Sequence, residues 1–185
     1  MDPIESINFK KDSTLAIMLE AQSRSHSLFY MTPNCLFIKE TGAHAITRRI
    51  EVKSDPENWF SYEQEEEVKL TELDVIFMRQ DPPFNSNYIY NTYVLESAEK
   101  EGVLVINKPN SLRSCNEKVF ATEFPQCCTS FLVSSEELLL KKFISENMDT
   151  VVKPLDGMGG SSIFRVKVND PNLNVILETI TNFFS

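Results

Sequence analysis

Three of the five glycines in this 185-residue chain lie in one short segment, from Lys153 to Ser162. Glycines cluster where the backbone takes a positive φ in a tight turn, or where it approaches a ligand with no Cβ in the way. A plain hairpin turn of about two to five residues would explain only the glycines. A loop that covers a phosphate group would also explain the preceding lysine and the hydroxyls of Ser161 and Ser162. The segment therefore favours phosphate binding, with the hairpin as the alternative.

The order of residues in this segment differs from three well-known nucleotide loops. In a Walker A loop the lysine follows the glycines and a helix comes next, whereas here Lys153 comes first and a strand pattern follows. The dinucleotide fingerprint needs a glycine where Ser162 stands. A protein kinase takes its lysine from the following strand, which only Val166–Lys167 distantly matches. A lysine-ending strand, a glycine-rich flap and a second strand instead resemble the ATP-grasp arrangement.

Strand and helix patterns surround this loop in the second part of the chain. Apolar residues at Thr150–Lys153 and the alternation at Ile163–Val168 predict two strands that flank it. Ser134 and Glu137 have the spacing of a capping box, which predicts a helix through Ile144. The segment 116–124 is a further helix candidate.

The first part of the chain has a strand-helix-strand pattern. The apolar run Asp74–Met78 predicts a buried strand, and Val103–Ile106 predicts the next one. Between them we predict a helix capped by Ser86 and ended by Gly102. These lengths fit a βαβ unit, which indicates an open α/β sheet.

Polar, proline-containing segments follow both of these strands, at Arg79–Pro83 and Asn107–Pro109. Ligands of open α/β sheets lie beyond the carboxyl ends of the strands, so both segments are candidate binding residues. Plain strand-ending turns are the alternative. Earlier in the chain we predict hairpin strands at Leu36–Lys39 and Ala45–Val52, followed by an acidic, solvated loop that reaches Glu67.

The amino-acid composition limits the classes of protein to which the chain can belong. Hydrophobic residues make up 42% and charged residues 24% of the chain, as in a soluble globular protein. No apolar run approaches the roughly 18 residues of a membrane span, and no basic-then-apolar leader is present, so we predict a cytoplasmic protein without a membrane partner. The formal net charge of -9 argues against nucleic-acid binding. It does not exclude a phosphorylated ligand held by backbone N–H groups and one or two lysines.

The cysteines lack the spacing of a metal site or a disulfide framework. They are Cys35, Cys115, Cys127 and Cys128. No C-x-x-C pair occurs, and the two histidines lie far from the last three cysteines in sequence, so we predict no zinc site. We interpret the cysteines as buried or incidental thiols, with a redox role for Cys127 and Cys128 as the alternative.

Several short motifs occur along the chain: Asp2-Pro3-Ile4, Lys10-Lys11-Asp12-Ser13, Met78 to Phe84, Asn107-Lys108-Pro109, Ser111-Leu112-Arg113, Cys115 to Lys118, and the loop from Lys153 to Gly160. In this order and context, they resemble those of bacterial glutathione synthetases. The resemblance covers essentially the whole chain and is to the N-terminal portion of that family. It implies an open parallel-sheet α/β domain of the pre-ATP-grasp type at residues 1–114. It also implies an incomplete ATP-grasp domain with a glycine-rich flap at residues 115–185.

The resemblance implies an ATP-dependent ligase that uses Mg²⁺. Such an enzyme joins the carboxylate of γ-glutamylcysteine to the amine of glycine through an acyl phosphate, giving glutathione, ADP and phosphate. Lys118 and Lys153 match the ATP-binding lysines of the family. The mobile flap over the nucleotide corresponds to Asp156, Gly157, Met158, Gly159 and Gly160. A homo-oligomer is implied for the whole enzyme. No catalytic residue or metal ligand is assigned, and Arg79 and Asp81 could serve either the peptide substrate or a structural turn.

The chain also departs from the family pattern. The family has a strand before Asp2-Pro3-Ile4, and its magnesium ligands and substrate arginines are expected beyond position 185. We therefore expect a truncated chain that is inactive, or nearly so, by itself. Two alternatives are another ATP-grasp carboxylate-amine ligase and a non-catalytic remnant that binds a nucleotide or a partner.

Overall fold

The computed structural model describes residues 1–184, which form two units. Unit 1 spans Met1–Ser114, and unit 2 begins at Cys115. Each unit has hydrophobic core clusters of its own. In the described part of the chain, no helix is long and apolar enough to cross a membrane.

The helices of unit 1 are α1 (Ser13–Ser23), α2 (Ser86–Lys100) and α3 (Pro109–Ser114). Helix α1 begins at a strong cap, because Asp12 Oδ1 accepts hydrogen bonds from the N–H groups of Thr14 and Leu15 at 2.7 and 3.0 Å. Short 3₁₀ helices lie at Ile4–Ser6, Pro33–Cys35 and Leu70–Glu72.

The cap predicted for α2 was wrong by one residue. The side chain of Asn85 accepts a hydrogen bond from Tyr88 N–H at 3.1 Å, and Ser86 is already the first helical residue. Asparagine and serine are almost equally good caps, so adjacent residues of these types leave the start of a helix ambiguous. The predicted end is observed, since Gly102 follows the helix with a φ of +105°.

The larger sheet of unit 1 is antiparallel. It contains β1 (Phe29–Tyr30), β2 (Leu36–Lys39), β3 (Gly42–Val52) and β4 (Phe60–Lys69). Strand β3 is central, with β1 and β2 paired along one edge and β4 along the other. The predicted β2–β3 hairpin is confirmed.

Strand β4 corrects the prediction of an acidic loop. Its glutamates at positions 63, 65, 66 and 67 are exposed, as expected of a solvated surface, but they lie on a strand. Cross-strand ion pairs support it, since Arg48 of β3 contacts Glu65 at 2.6 Å. No further described strand pairs with β4, which makes it an edge strand.

The predicted βαβ unit is present but small. Strands β5 (Val75–Phe77) and β6 (Leu104–Ile106) pair in parallel, with α2 between them in sequence. This is the one parallel pair within residues 1–184, so unit 1 is a mixed α/β structure whose larger sheet is antiparallel. Both cores form where helices cover β3. One holds Leu95, Ala98 and Val105, and the other holds Ile4, Leu15 and Ile50.

Unit 2 contains α4 (Glu137–Asn147), β7 (Asp149–Val152), β8 (Phe164–Lys167) and α5 (Leu173–Ile180). Strands β7 and β8 pair antiparallel, as expected for a hairpin that carries a flap. Its core joins all four elements through Ile144, Val152, Val166 and Leu177, each at most 9% exposed.

Two helix predictions in unit 2 need correction. The segment 116–124 does not form an α-helix, since the structure has turns followed by 3₁₀ helices at Phe120–Glu123 and Pro125–Cys127. Helix α4 is capped by Glu136, whose carboxylate accepts from Leu138 and Leu139 N–H groups. Ser134 lies just before this cap, where its hydroxyl accepts a hydrogen bond from Glu136 N–H.

Candidate functional site

The flap is the connection between β7 and β8. Val152 pairs with Phe164 in the last register position, so residues 153–163 lie outside the ladder, well beyond the length of a hairpin turn. The base of the hairpin is held by Arg165, which donates to both carboxylate oxygens of Asp149 at 2.9 and 2.6 Å. Hydrogen bonding to this guanidinium lowers the pKa of the Asp149 carboxyl.

The three flap glycines are required for two different reasons. Gly159 and Gly160 have φ values of +62° and +82°, a region that L side chains rarely adopt, although a Cβ would meet open space there. A Cβ at Gly157 would lie 2.8 Å from Pro154 Cγ, so this glycine permits a close approach within the flap. The three glycines therefore allow the backbone conformation of the flap. A tight turn and a loop that covers a ligand would both require this.

Lys118 contacts the flap directly. Its Nζ donates to the Gly157 carbonyl oxygen at 2.6 Å and lies 3.4 Å from that of Leu155. It also pairs with Glu117 Oε1 at 2.7 Å, and its side chain is only 19% exposed. Because Lys118 contacts the flap, its ammonium group lies close to any ligand that the flap covers.

Asn116 joins the turn that carries Lys118 to the start of the flap. Its Oδ1 accepts hydrogen bonds from the N–H groups of Lys118 and Val119 at 3.0 and 3.1 Å. Its Nδ2 donates to the Leu155 carbonyl oxygen at 3.0 Å. The Asn116 side chain thus forms hydrogen bonds both with the turn that carries Lys118 and with the flap.

A cavity of about 250 Å³ lies between this turn and the flap. It is lined by Glu117, Lys118, Lys153, Pro154, Gly157, Met158, Gly159, Gly160, Ser161 and Ile163. The volume is below the roughly 300–1,000 Å³ of pockets that enclose a whole small ligand. Two lysines and one glutamate leave it with a net positive charge, which suits an anionic group such as part of a phosphate chain.

The cavity gathers six of the seven residues predicted to bind nucleotide. Lys118, Lys153, Gly157, Met158, Gly159 and Gly160 line it, whereas Asp156 is exposed and does not. Within residues 1–184, Lys153 makes no ion pair, so its ammonium is available to a ligand.

Sequence reasoning did not assign Glu117, Pro154, Ser161 or Ile163 to the site, although all four line the cavity. Glu117 belongs to the Asn116–Lys118 motif, and Ser161 supplies one of the hydroxyls noted after the glycines. Both residues could therefore have been predicted, because each is next to a predicted residue in sequence. Pro154 and Ile163 carry no chemical signal.

The polar turn after β5 lies in unit 1. Arg79 Nε donates to Thr14 Oγ1 at 3.1 Å, and the N–H of Asp81 donates to Asp2 Oδ2 at 2.7 Å. These contacts tie the turn to the N-terminal segment and to the start of α1. They give Arg79 and Asp81 structural contacts, and a substrate role for either stays a prediction.

The described residues contain no cluster of candidate metal ligands and no disulfide. Among residues 1–184, no three histidine, cysteine or acidic side chains come together as metal ligands. The four cysteines are free thiols. Cys115 and Cys127 are exposed rather than buried, because the segment around them forms turns and 3₁₀ helices.

A strand that leads into a lysine, a glycine flap and a returning strand are the arrangement of an ATP-grasp domain. A family model described as prokaryotic glutathione synthetase, N-terminal domain, matches residues 1–113, and one for the ATP-grasp domain of the same enzyme matches residues 117–185. The chain belongs to the prokaryotic glutathione synthetase family.

Curated relatives named glutathione synthetase agree with this assignment. The protein from Pseudomonas putida is 55% identical over 98% of this chain and 57% of its own length. Those from Yersinia pestis and Vibrio parahaemolyticus are 53% and 52% identical, over 100% and 98% of this chain and 58% of their own lengths. The chain thus spans less than two thirds of the length of these relatives.

Proposed function

We propose that this chain contributes the phosphate-binding flap of an ATP-dependent glutathione synthase. The reaction is the ligation of γ-glutamylcysteine and glycine, with ATP converted to ADP and phosphate through an acyl phosphate. The observation that carries the proposal is the convergence of Lys118 and Lys153 on one cavity beneath the flap glycines. Family membership identifies the class of reaction for which this arrangement is suited.

We also propose a domain assignment, which family membership supports. Residues 1–114 are the N-terminal α/β domain of the pre-ATP-grasp type, with β5 and β6 as part of an open parallel sheet. Residues 115–185 belong to the ATP-grasp domain. The substrates are small molecules, and we expect no nucleic-acid or membrane partner. We further propose a cytoplasmic location and a homo-oligomeric enzyme.

The lysines and the flap have separate chemical tasks in this proposal. Transfer of the γ-phosphoryl group concentrates negative charge, which the ammonium groups of Lys118 and Lys153 stabilise when they are held in place beforehand. The N–H groups of Gly159 and Gly160 donate to phosphate oxygens, for which no Cβ obstructs the approach. Closure of the flap excludes water, which would otherwise hydrolyse the acyl phosphate.

Nucleotide binding tests the proposal most directly. ATP is titrated calorimetrically into the chain and into Lys153→Ala. Loss of a hydrogen bond to a charged group costs about 1.5–3 kcal/mol, so the variant should bind about 10- to 150-fold more weakly. Lys142→Ala is the matched control, because Lys142 is an exposed lysine of α4 that does not line the cavity.

Equal ATP affinity in the chain and in Lys153→Ala would contradict the proposed site. The reaction class is tested separately, in the protein as the cell makes it, by following ADP release. Release should require both γ-glutamylcysteine and glycine. Release with a different acid and amine would indicate another ligase of this class, and ATP binding without any release would indicate a nucleotide-binding module.

A further inference from the structure

The turn that carries Lys118 is built around one side chain. Asn116 uses its carbonyl oxygen to accept the N–H groups of Lys118 and Val119, and this fixes the turn. It uses its amide nitrogen to donate to the Leu155 carbonyl, at the start of the flap. The two ends of one carboxamide therefore serve two different segments, 39 residues apart in sequence.

The ammonium group of Lys118 is fully occupied in this arrangement. It has three N–H donors, and three protein acceptors surround it: the Glu117 carboxylate and the carbonyls of Gly157 and Leu155. The Leu155 carbonyl, which also accepts from Asn116, is the longest of these contacts at 3.4 Å. A phosphate oxygen can bind Lys118 only by replacing one of the three, and the Leu155 contact is the weakest.

We propose that Asn116 is a positioning residue for the nucleotide, which ties Lys118 to the start of the flap. This inference rests on the proposed function. Asn116 does not line the cavity and needs no contact with ATP. By holding the Leu155 carbonyl, it keeps the flap in place when Lys118 releases that carbonyl to meet a phosphate. Its loss would leave the flap without an anchor at the moment when the lysine changes partners.

Two variants separate the roles of the carboxamide. Asn116→Ala loses the bonds to the turn and to the flap. Asn116→Asp keeps an oxygen that accepts from Lys118 and Val119 but loses the donor to Leu155. Asn147→Ala is the matched control, since Asn147 also donates from Nδ2 to a backbone carbonyl, that of Phe143, at the end of α4.

Hydrogen exchange of the ATP-free chain measures the anchor without any ligand. Residues 155–162 should exchange about two- to tenfold faster in both Asn116 variants, as expected for one lost hydrogen bond. Residues 137–147 of α4 should exchange at the rate of the unsubstituted chain. Asn147→Ala should leave flap exchange unchanged. Calorimetry should show ATP affinity reduced about two- to tenfold in Asn116→Ala, with the thermal midpoint unchanged.

The results distinguish this inference from the function on which it rests. If the chain binds ATP, Lys153→Ala does not, and both Asn116 variants have the flap exchange of the unsubstituted chain, the function stands and the inference is overturned. Faster exchange in Asn116→Ala alone would also overturn it, because the turn and not the tie to Leu155 would then hold the flap. If neither the chain nor the protein as the cell makes it binds ATP, the proposed function fails and the positioning role fails with it.

Discussion

Asp149 and Arg165 form a two-point ion pair across the β7–β8 hairpin, at 2.9 and 2.6 Å. They are diagonal neighbours, since Asp149 pairs in register with Lys167 and Arg165 pairs with Val151. Diagonal contacts of this kind lie within reach of long side chains and stabilise a hairpin. This ion pair therefore links the two strands at the end of the hairpin opposite the flap.

The pair predicts a pH dependence of stability. Arg165 lowers the pKa of Asp149 from its ordinary value of 3.8, so in acid the unfolded chain binds a proton more readily than the folded one. The stabilisation is fully present above the ordinary value and is lost as the pH falls through the lower folded value. We expect Asp149→Asn to unfold at a lower temperature at neutral pH, and the difference to disappear in strong acid.

Far-UV circular dichroism measures this unfolding, and the fluorescence of Trp59 supplies a control. Trp59 is the one tryptophan of the chain and packs in unit 1 against Phe9 and Phe60. Its transition should be the same in the variant. A constant difference between the two proteins from neutral pH into strong acid would show that the carboxylate of Asp149 does not act through its charge.

Glu117 is expected to weaken nucleotide binding. Its carboxylate pairs with Lys118 at 2.7 Å and lines a cavity proposed to hold phosphate, so its negative charge repels the ligand. Exposed ion pairs contribute about 0.2–1 kcal/mol, and Glu117→Gln should therefore bind ATP up to about fivefold more tightly. Calorimetry at low ionic strength gives the largest difference, because salt screens exposed charges.

Glu146→Gln is the control for this change. Glu146 also pairs with a lysine on the surface of unit 2, Lys142, at 3.9 Å, but it does not line the cavity. It should leave the affinity unchanged. Weaker ATP binding by Glu117→Gln would mean that the main effect of Glu117 is to hold Lys118 in a useful position and not to repel the ligand.

Gly160→Ala is expected to disturb the flap and little else. The φ of +82° costs an L residue about 1–2 kcal/mol, while open space around the site avoids a clash. A protease that cleaves beside bulky apolar residues should therefore cut faster at Leu155 and Met158. Because the flap lies outside the core of unit 2, the thermal midpoint of that unit should change little.

Gly102→Ala provides the matched comparison. Its φ of +105° is equally unsuited to an L residue and its surroundings are also open, but it joins α2 to β6 in unit 1. It should lower the transition reported by Trp59 and leave flap cleavage unaltered. Unchanged cleavage in Gly160→Ala would indicate that the flap backbone does not require this conformation.

The cap of α1 predicts a stability change in unit 1. Asp12 satisfies two N–H groups at the start of the helix, and replacement of such a cap by alanine costs about 1 kcal/mol, within a range of about 0.5–2. Urea unfolding followed by Trp59 fluorescence measures it. Asp55→Ala removes an aspartate that bonds to one N–H, that of Glu57, in an exposed loop, and should cost less. Equal effects would argue against capping.

The sequence predicted best where apolar periodicity and glycine position agree. The strands at β5 and β6 and the hairpin that holds the flap were expected from apolar runs and alternation, and they occur within a residue or two, although Val75, Phe77 and Leu104 are exposed and not buried as predicted. Two residues that line the cavity, Lys118 and Lys153, could be predicted because they stand in recognisable motifs. That they line the same cavity is a tertiary feature, which no local pattern contains.

Predictions failed where local chemistry was ambiguous. Asn85 and Ser86 compete as caps, and Ser134 and Glu136 do the same before α4, so only the folded backbone decides between them. The run before Lys69 carries too many glutamates to resemble a strand. Pairing with β3 overrides this weak propensity, because strand formation depends strongly on its neighbours.

The acidic edge of β4 has a practical consequence for work with this protein. A ten-residue strand with one edge that pairs with no described strand is a template on which another chain can add a strand, and charged side chains are a common natural protection against this. Surface engineering that replaces glutamate clusters by alanine, often chosen to promote crystal growth, would remove that protection at Glu65, Glu66 and Glu67. The result would be a chain prone to fibrous aggregation, although its fold and its flap had not been touched.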